Sequence, residues 1–307
     1  MPQTVPRLAP FRKQHSMSHS AQTNKHAILF MIGAIALFAS MDAAAKELTT
    51  HVHPIQAIWA RYFSATMLVL VIVLPKMKTV FRTQHPRLQA VRSMLVLGAT
   101  SFFFVSISQI GLAEATAVMD INPVLLTLGG FLFLGEKIGP RRVFGILMSL
   151  IGAIIVIRPG MGVFSVYSIL PLAAAVCLTG YKLITRFVGR NENPWTSLFY
   201  TALFGAVFLS AIVPFFWTPL TGYTAGLVIV IGILGTASQL MLIRALTLGE
   251  AGLLAPFVYV GLLFATFWGY VIFDDVPDVP TIIGALIIVG SGLYVWYREI
   301  QTTPKGR

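Results

Sequence analysis

The stretch LFASMDAAAKELTTHVHPIQAIWARYF, residues 37–63, decides how the chain is to be read. It carries the end of one apolar run across a polar corner into the start of the next. Asp42 nevertheless stands inside the first run, and Arg61 inside the second. The two runs, approximately 26–48 and 54–75, are close to the ~20 residues that a helix needs to cross a bilayer. A charge left facing lipid at such a depth would cost roughly 2.5–3.5 kcal/mol on insertion scales. Both side chains must therefore turn inward, which requires further helices to surround them.

The rest of the chain supplies those helices. Of its 307 residues, 56% are hydrophobic and 11% charged, where a soluble domain carries about 25% charged residues. The mean hydropathy is +0.81. Apolar runs give ten expected spans, approximately 26–48, 54–75, 93–112, 115–134, 142–157, 166–187, 195–216, 224–246, 251–273 and 280–297. The connections at 112–115 and 247–250 are short enough to make hairpins of their helix pairs. Residues 1–25 are polar and basic, and read as a disordered cytoplasmic arm; residues 299–307 read as a short tail.

The net charge of +11 does not point to nucleic acid, because the basic residues fall between apolar runs rather than along one face. They set orientation instead. Of the 22 Lys and Arg, Lys46 and Arg158 fall on the outer side, and Arg61, Lys182 and Arg244 within spans. The remaining seventeen, among them Lys76, Lys78, Arg87, Arg92, Arg141 and Arg298, fall on the side of both termini. The bias places both termini in the cytoplasm of a bacterial inner-membrane protein, with the acidic loop at 274–278 outside.

Laid on itself, the chain shows two halves. At an offset of 140, Pro54 meets Pro194, Arg61 meets Thr201, Lys46 meets Arg186 and Asp42 meets Lys182. Glu114 falls on Glu250, Glu136 on Asp275 and Gly145 on Gly284, with the offset drifting through small insertions. Five spans per half is an odd number, so the second half must insert upside down. The expected fold class is an all-α integral membrane protein, ten transmembrane helices as two inverted five-helix repeats at 26–158 and 166–298. Inverted repeats are the architecture of alternating-access carriers, with the substrate site near the midplane between them.

The order NPVLLTLGGFLFLGEKI (122–138) followed by FGILMSLIGAIIVIRPG (144–160) resembles the EamA-type transporters of the drug/metabolite transporter superfamily. Pro54 seven residues before Arg61, and LGE closing the fourth helix, fit the same pattern. The second half departs from it, with Phe273–Asp274–Asp275 in place of LGE and Leu262 where Pro123 would repeat. Within the family, 37–63 looks most like the branch of vitamin and cofactor uptake carriers, such as those for riboflavin or S-adenosylmethionine. Export of amino acids or drugs is the second reading the resemblance allows.

At 1.5 Å per residue, Asp42, Arg61 and Asp120 lie ~9, ~10 and ~8 Å below the outer surface. Asp42 and Arg61 are the natural pair, with Asp120 competing for the same arginine. Two acids around one base leave one carboxylate under-neutralised. Gln109, Asn122, Tyr181, Gln239, Tyr259 and Trp268 are further polar or aromatic candidates within spans. The resemblance implies a cavity chiefly among helices 3, 4, 8 and 9, with 1 and 6 contributing, and Gln109, Asn122, Gln239 and Tyr259 are on such helices. Lys182 and Arg244, near the inner ends of their helices, read as snorkelling to the cytoplasmic surface. Pro123 and Pro256 each interrupt a helix where freed carbonyls could face a cavity.

No catalytic motif is found: there is no nucleophile elbow, phosphate loop or HExxH. A membrane-embedded enzyme acting on lipid-linked substrates would need a long loop rich in His, Asp and Glu, and none is present. His51 and His53 lack a third ligand for zinc, and Cys177 is the only cysteine, so no metal, cofactor or disulfide is expected. The expected partners are a small-molecule substrate and the lipid bilayer. The small-residue faces at Gly145, Gly152, Gly284, Gly290 and Gly292 fit close helix packing, either inside one chain or with a second copy of it.

Overall fold

The computed structural model describes residues 13–74, 80, 83, 85–134, 140–157, 165–188, 194–248 and 254–302. Among these the regular structure is entirely helical. The α-helices, in chain order, are α1 (Lys13–His51), α2 (Pro54–Val73), α3 (Pro86–Ile107), α4 (Leu112–Met119), α5 (Asn122–Leu134), α6 (Pro140–Ile157), α7 (Leu170–Val188), α8 (Pro194–Ile212), α9 (Gly222–Leu248), α10 (Val260–Phe273) and α11 (Val279–Thr302). Short 3-10 turns precede α7 (Val166–Ser168), follow α8 (Val213–Phe216) and lead into α10 (Ala255–Tyr259).

Among the described residues, six helical stretches are long and apolar enough to cross a membrane: Lys25–His51, Pro54–Val73, Pro86–Ile107, Val166–Thr185, Trp195–Phe216 and Gly222–Ala245. Val143–Ile157, Phe257–Phe273 and Val279–Tyr294 are shorter and apolar. Their outward surfaces are large and aliphatic, with Val71 73%, Leu263 69% and Leu286 67% exposed, a surface that only lipid suits. The chain is a multi-pass membrane protein.

Local chemistry explains where the helices stop. At the corner after α1, the His53 ring nitrogen accepts the amide hydrogen of Ile55 at 3.3 Å. Pro54, with no amide hydrogen to satisfy, then opens α2. In the run at 112–134 the chain breaks in the middle: α4 ends at Met119, and α5 begins at Asn122. Pro123 has no amide hydrogen for the Met119 carbonyl, and the Ile121 carbonyl instead takes the amides of Val124 and Leu125 at 3.0 and 3.1 Å. After α10, Asp274 adopts the left-handed conformation (φ 52°). The Asp275 amide turns back onto the Gly269 carbonyl at 3.0 Å, so that a left-handed residue closes the helix.

The boundaries correct four expectations. Helix α1 starts at Lys13, inside the stretch read as a structureless arm, since 13–25 holds no proline or glycine to stop it. Helix α3 starts at Pro86 rather than 93 and ends at Ile107 rather than 112. Arg92, counted as a loop residue, consequently lies inside α3 and is only 1% exposed. The run at 115–134 is two short helices instead of one, and α11 continues through Arg298 to Thr302, into the expected tail.

Packing follows a regular scheme. Helix α1 lies against α9 and α10, and α7 against α3 and α5. Helix α2 packs on α9 and α8, while α8 packs on α3 and α2. Helices α6 and α11 pair with each other. There a Cβ added to Gly152 would come 2.8 Å from the Gly284 carbonyl oxygen, and one on Gly284 2.6 Å from that of Gly152. Ser149 and Ser291 hydrogen-bond across the same seam. These two glycines thus bring the helices together within one chain.

Candidate functional site

The turns at 51–53, 108–111, 165–169, 213–221 and 274–278 gather at one end of the bundle, and side chains tie them together. Gln56 exchanges two hydrogen bonds with the backbone of Thr218, both 2.8 Å. The Tyr223 hydroxyl donates to Glu47 at 3.1 Å, and Ser168 donates to Glu114 at 2.9 Å. His53 stacks on Phe216 at 4.6 Å, while His51 meets Glu47 at 3.3 Å. The two histidines are occupied separately.

Lys46 is the centre of this end. Its Nζ lies 3.3 Å from Asp275 Oδ2, donates to the Ile110 carbonyl at 3.0 Å and sits 4.7 Å above the Phe273 ring. The pair is mostly shielded, with side chains 14% and 30% exposed. Gly111 leaves room for it, because a Cβ there would meet Asp275 Oδ2 at 2.6 Å. One ammonium thereby joins the end of α1, the turn before α4 and the cap of α10. The sequence places Lys46 on the outer side and in the repeat but names no partner for it; the partner lies 229 residues away, with no local signal to reveal it.

Below this seam are two charged groups. In the first, Arg61 is the charge acting on Asp42, but no salt bridge joins them among the described residues. The direct pair expected from sequence is not formed. Arg61 instead lies over the Phe104 ring at 5.4 Å, and Asp42, partly exposed, has no hydrogen-bond partner among the described residues. Beside Arg61, the buried Tyr62 hydroxyl meets the Val96 carbonyl and Thr100 Oγ1, both at 3.1 Å.

The second group forms at the break between α4 and α5. Asp120 caps α4 and is 8% exposed, with Oδ2 lacking a hydrogen-bond partner. Two residues on, Asn122 is 3% exposed. Its Nδ2 donates to the Ala175 carbonyl at 3.0 Å and to Thr179 Oγ1 at 2.8 Å on α7. Its Oδ1 accepts from Lys182 Nζ. Lys182 therefore points into the bundle and acts on Asp120, correcting the snorkelling expectation. The cause is Asn122, a partner on another helix that offers what the surface would have offered. Tyr259, 7% exposed, also feels Asp120, and its hydroxyl has no hydrogen-bond partner. Glycine at 292 accommodates that hydroxyl, since a Cβ there would overlap it.

The remaining expected residues scatter. Tyr181 lies under the Arg92 guanidinium, 5.1 Å from its carbon to the ring centroid, and Arg92 donates to the Ser197 carbonyl and Thr201 Oγ1, both at 2.7 Å. Tyr181 and Lys182, adjacent on α7, thus reach the first and second groups respectively. Trp268 donates to Ser40 at 3.0 Å, joining α10 to α1. Gln239 is partly exposed on α9, and Arg244 is exposed. Gln109 lies exposed in the turn after α3, removed from both groups because that helix ends early. Pro256 falls in the 3-10 turn before α10. Glu136 and Glu250 lie outside the described residues.

The profile of the EamA-like transporter family matches residues 25–158 and again 165–297. The chain is 28% identical over 271 residues to the pseudopaline exporter CntI of Pseudomonas aeruginosa, covering 86% of this chain and 94% of that protein. It is 26% identical over 286 residues to a riboflavin transporter of Brucella anthropi, covering 89% and 99%. An S-adenosylmethionine uptake transporter of Rickettsia felis is 25% identical over 271 residues, covering 88% and 92%. A crystal structure at 19% identity superimposes with a TM-score of 0.64 over 91% of this chain and 99% of the other, a likeness of fold.

Proposed function

Because the chain belongs to the EamA-like transporter family, we propose that it is an inner-membrane secondary transporter that moves a small organic metabolite by alternating access. It has ten spans in two inverted repeats and both termini in the cytoplasm. The observation that carries this reading is the pair of charged groups within the bundle, Asp42 with Arg61 and the buried Asp120 with Lys182, beneath the end joined by Lys46 and Asp275. Intramembrane charges mark substrate and ion pathways, and a closed end above them is half of an alternating-access cycle. The packing scheme supports the repeats: exchanging the halves maps the packing of α1 on α9 onto that of α7 on α3, and the packing of α2 on α9 onto that of α8 on α3. The family profile, matching twice, divides the chain near the same point.

Uptake of a vitamin or cofactor such as riboflavin is the substrate reading we favour. Two of the three relatives above are uptake or riboflavin carriers by name. The pseudopaline exporter supports export as the second reading. Growth of a riboflavin auxotroph on limiting riboflavin separates them. Uptake predicts rescue on expression of the chain, whereas an exporter would lower growth or leave it unchanged.

A further inference from the structure

An acid and a base that share a low-dielectric interior are drawn together, and a structural ion pair would close the gap. Asp120 and Lys182 interact, yet no salt bridge joins them among the described residues. Asn122 accounts for this. Both of its N–H groups are committed to α7, which fixes its amide, and its oxygen holds Lys182 Nζ. The ammonium keeps two hydrogens to give elsewhere. The carboxylate keeps Oδ2 without a partner, and the Tyr259 hydroxyl, which feels the Asp120 charge, is equally without one. Buried polar atoms are rarely left in this way unless something else completes them.

Resting on the carrier reading above, we propose that Asp120, Lys182 and Tyr259 form a socket for a substrate group that presents a hydrogen-bond donor beside an acceptor. The donor meets Asp120 Oδ2; the acceptor meets Lys182, with Tyr259 as a further donor. Asn122 is the positioning residue that keeps the socket open. A flavin imide edge, N–H beside C=O, has this pattern, and so does the ammonium and carboxylate end of an amino-acid cofactor. The shared chemistry is a neutral or zwitterionic group; a purely anionic or purely cationic one would leave half of the socket unanswered.

The test is binding to the purified protein by tracer and by flavin fluorescence. The probes are riboflavin against N3-methylriboflavin, and S-adenosylmethionine against its decarboxylated form. In the wild type, the modified member of at least one pair should bind about tenfold more weakly, as expected for a lost hydrogen bond to a charged group. In Asp120→Leu, methylating N3 should change affinity less than about twofold, and in Lys182→Met the same should hold for decarboxylation, since the partner is already gone. Which pair responds identifies the source of the group. Asn122→Ala, judged by the same comparison, should blunt whichever discrimination the wild type shows, while the protein elutes as a single species. Wild-type indifference to both modifications, strictly additive losses, or failure to bind either parent compound would overturn the socket. Transport of another metabolite in the same preparation would then leave the carrier reading standing.

Discussion

Breaking the seam between Lys46 and Asp275 should open the end of the bundle it closes. At 3.3 Å, the bare attraction is about 5 kcal/mol for an effective dielectric of ~20. Desolvation and ordering of both side chains offset most of this. Exposed pairs retain roughly 0.2–1 kcal/mol, and hydrogen bonds to charged groups about 1.5–3. With side chains 14% and 30% exposed, a net of about 1–2 kcal/mol for the closed state lies between, equivalent to a roughly 5- to 30-fold shift of population. The assay is labelling by an impermeant maleimide of Cys at position 40, six residues below Lys46 on α1, in a Cys177→Ser background. Asp275→Asn should raise the labelling rate by that factor. Lys46→Met should raise it more, because the bond to Ile110 is lost as well. Gly111→Ala, whose Cβ would displace the Asp275 carboxylate, should resemble Asp275→Asn. Exchanging the charges, Lys46→Asp with Asp275→Lys, should restore only part of the protection, since an aspartate cannot donate to the Ile110 carbonyl. Unchanged labelling in all three single variants, or an exchange that behaves as the sum of its parts, would refute the reasoning.

Three further outcomes are expected. Gly152→Ala and Gly284→Ala should each lower stability by about 1–3 kcal/mol, because each new Cβ meets a backbone oxygen that cannot step aside; unchanged thermal unfolding in detergent would contradict the packing. Phe104→Leu removes the ring beneath Arg61 and should weaken transport, whereas the coupling of Asp42→Asn with Arg61→Gln in a double-mutant cycle should stay below about 1 kcal/mol, as for a pair without direct contact; a larger coupling would restore the ion pair to the account. Reporter fusions at residues 85 and 307 should read cytoplasmic and one at 277 periplasmic, and a periplasmic C-terminus would remove the inverted repeat.

The helices were legible because each is a long apolar run, and the corner at 51–54 because proline and histidine mark it. Where reading failed, one cause recurs. The polar start of α3, PRLQAVR, reads as a loop on composition, which sets the start of the helix seven residues late and its end five residues late. That single displacement put Arg92 outside, although it is 1% exposed, and placed Gln109 inside, although it is exposed in a turn. Asp120, Asn122 and Tyr259 were recognisable as polar groups in apolar helices. Lys182 lies in a span too, but its inward turn is not legible, because its partners come from α5 and the end of α4, some sixty residues away in the chain. One signal did exist: the offset that lays the halves together puts Asp42 on Lys182, matching a charge with a charge. Lys46 and Asp275 gave a similar hint, as the repeat carries them onto Arg186 and Glu136 with their signs kept.

Exchange across the membrane tests the central claim most directly. Purified protein in liposomes loaded with unlabelled riboflavin, and in parallel with S-adenosylmethionine, is given the labelled compound outside. A carrier that alternates between two closed ends predicts saturable entry that runs faster into loaded than into empty-lumen vesicles, and that is absent from protein-free liposomes. Entry indistinguishable from protein-free liposomes for both compounds would contradict the uptake reading, and entry that neither saturates nor responds to internal substrate would contradict alternating access itself.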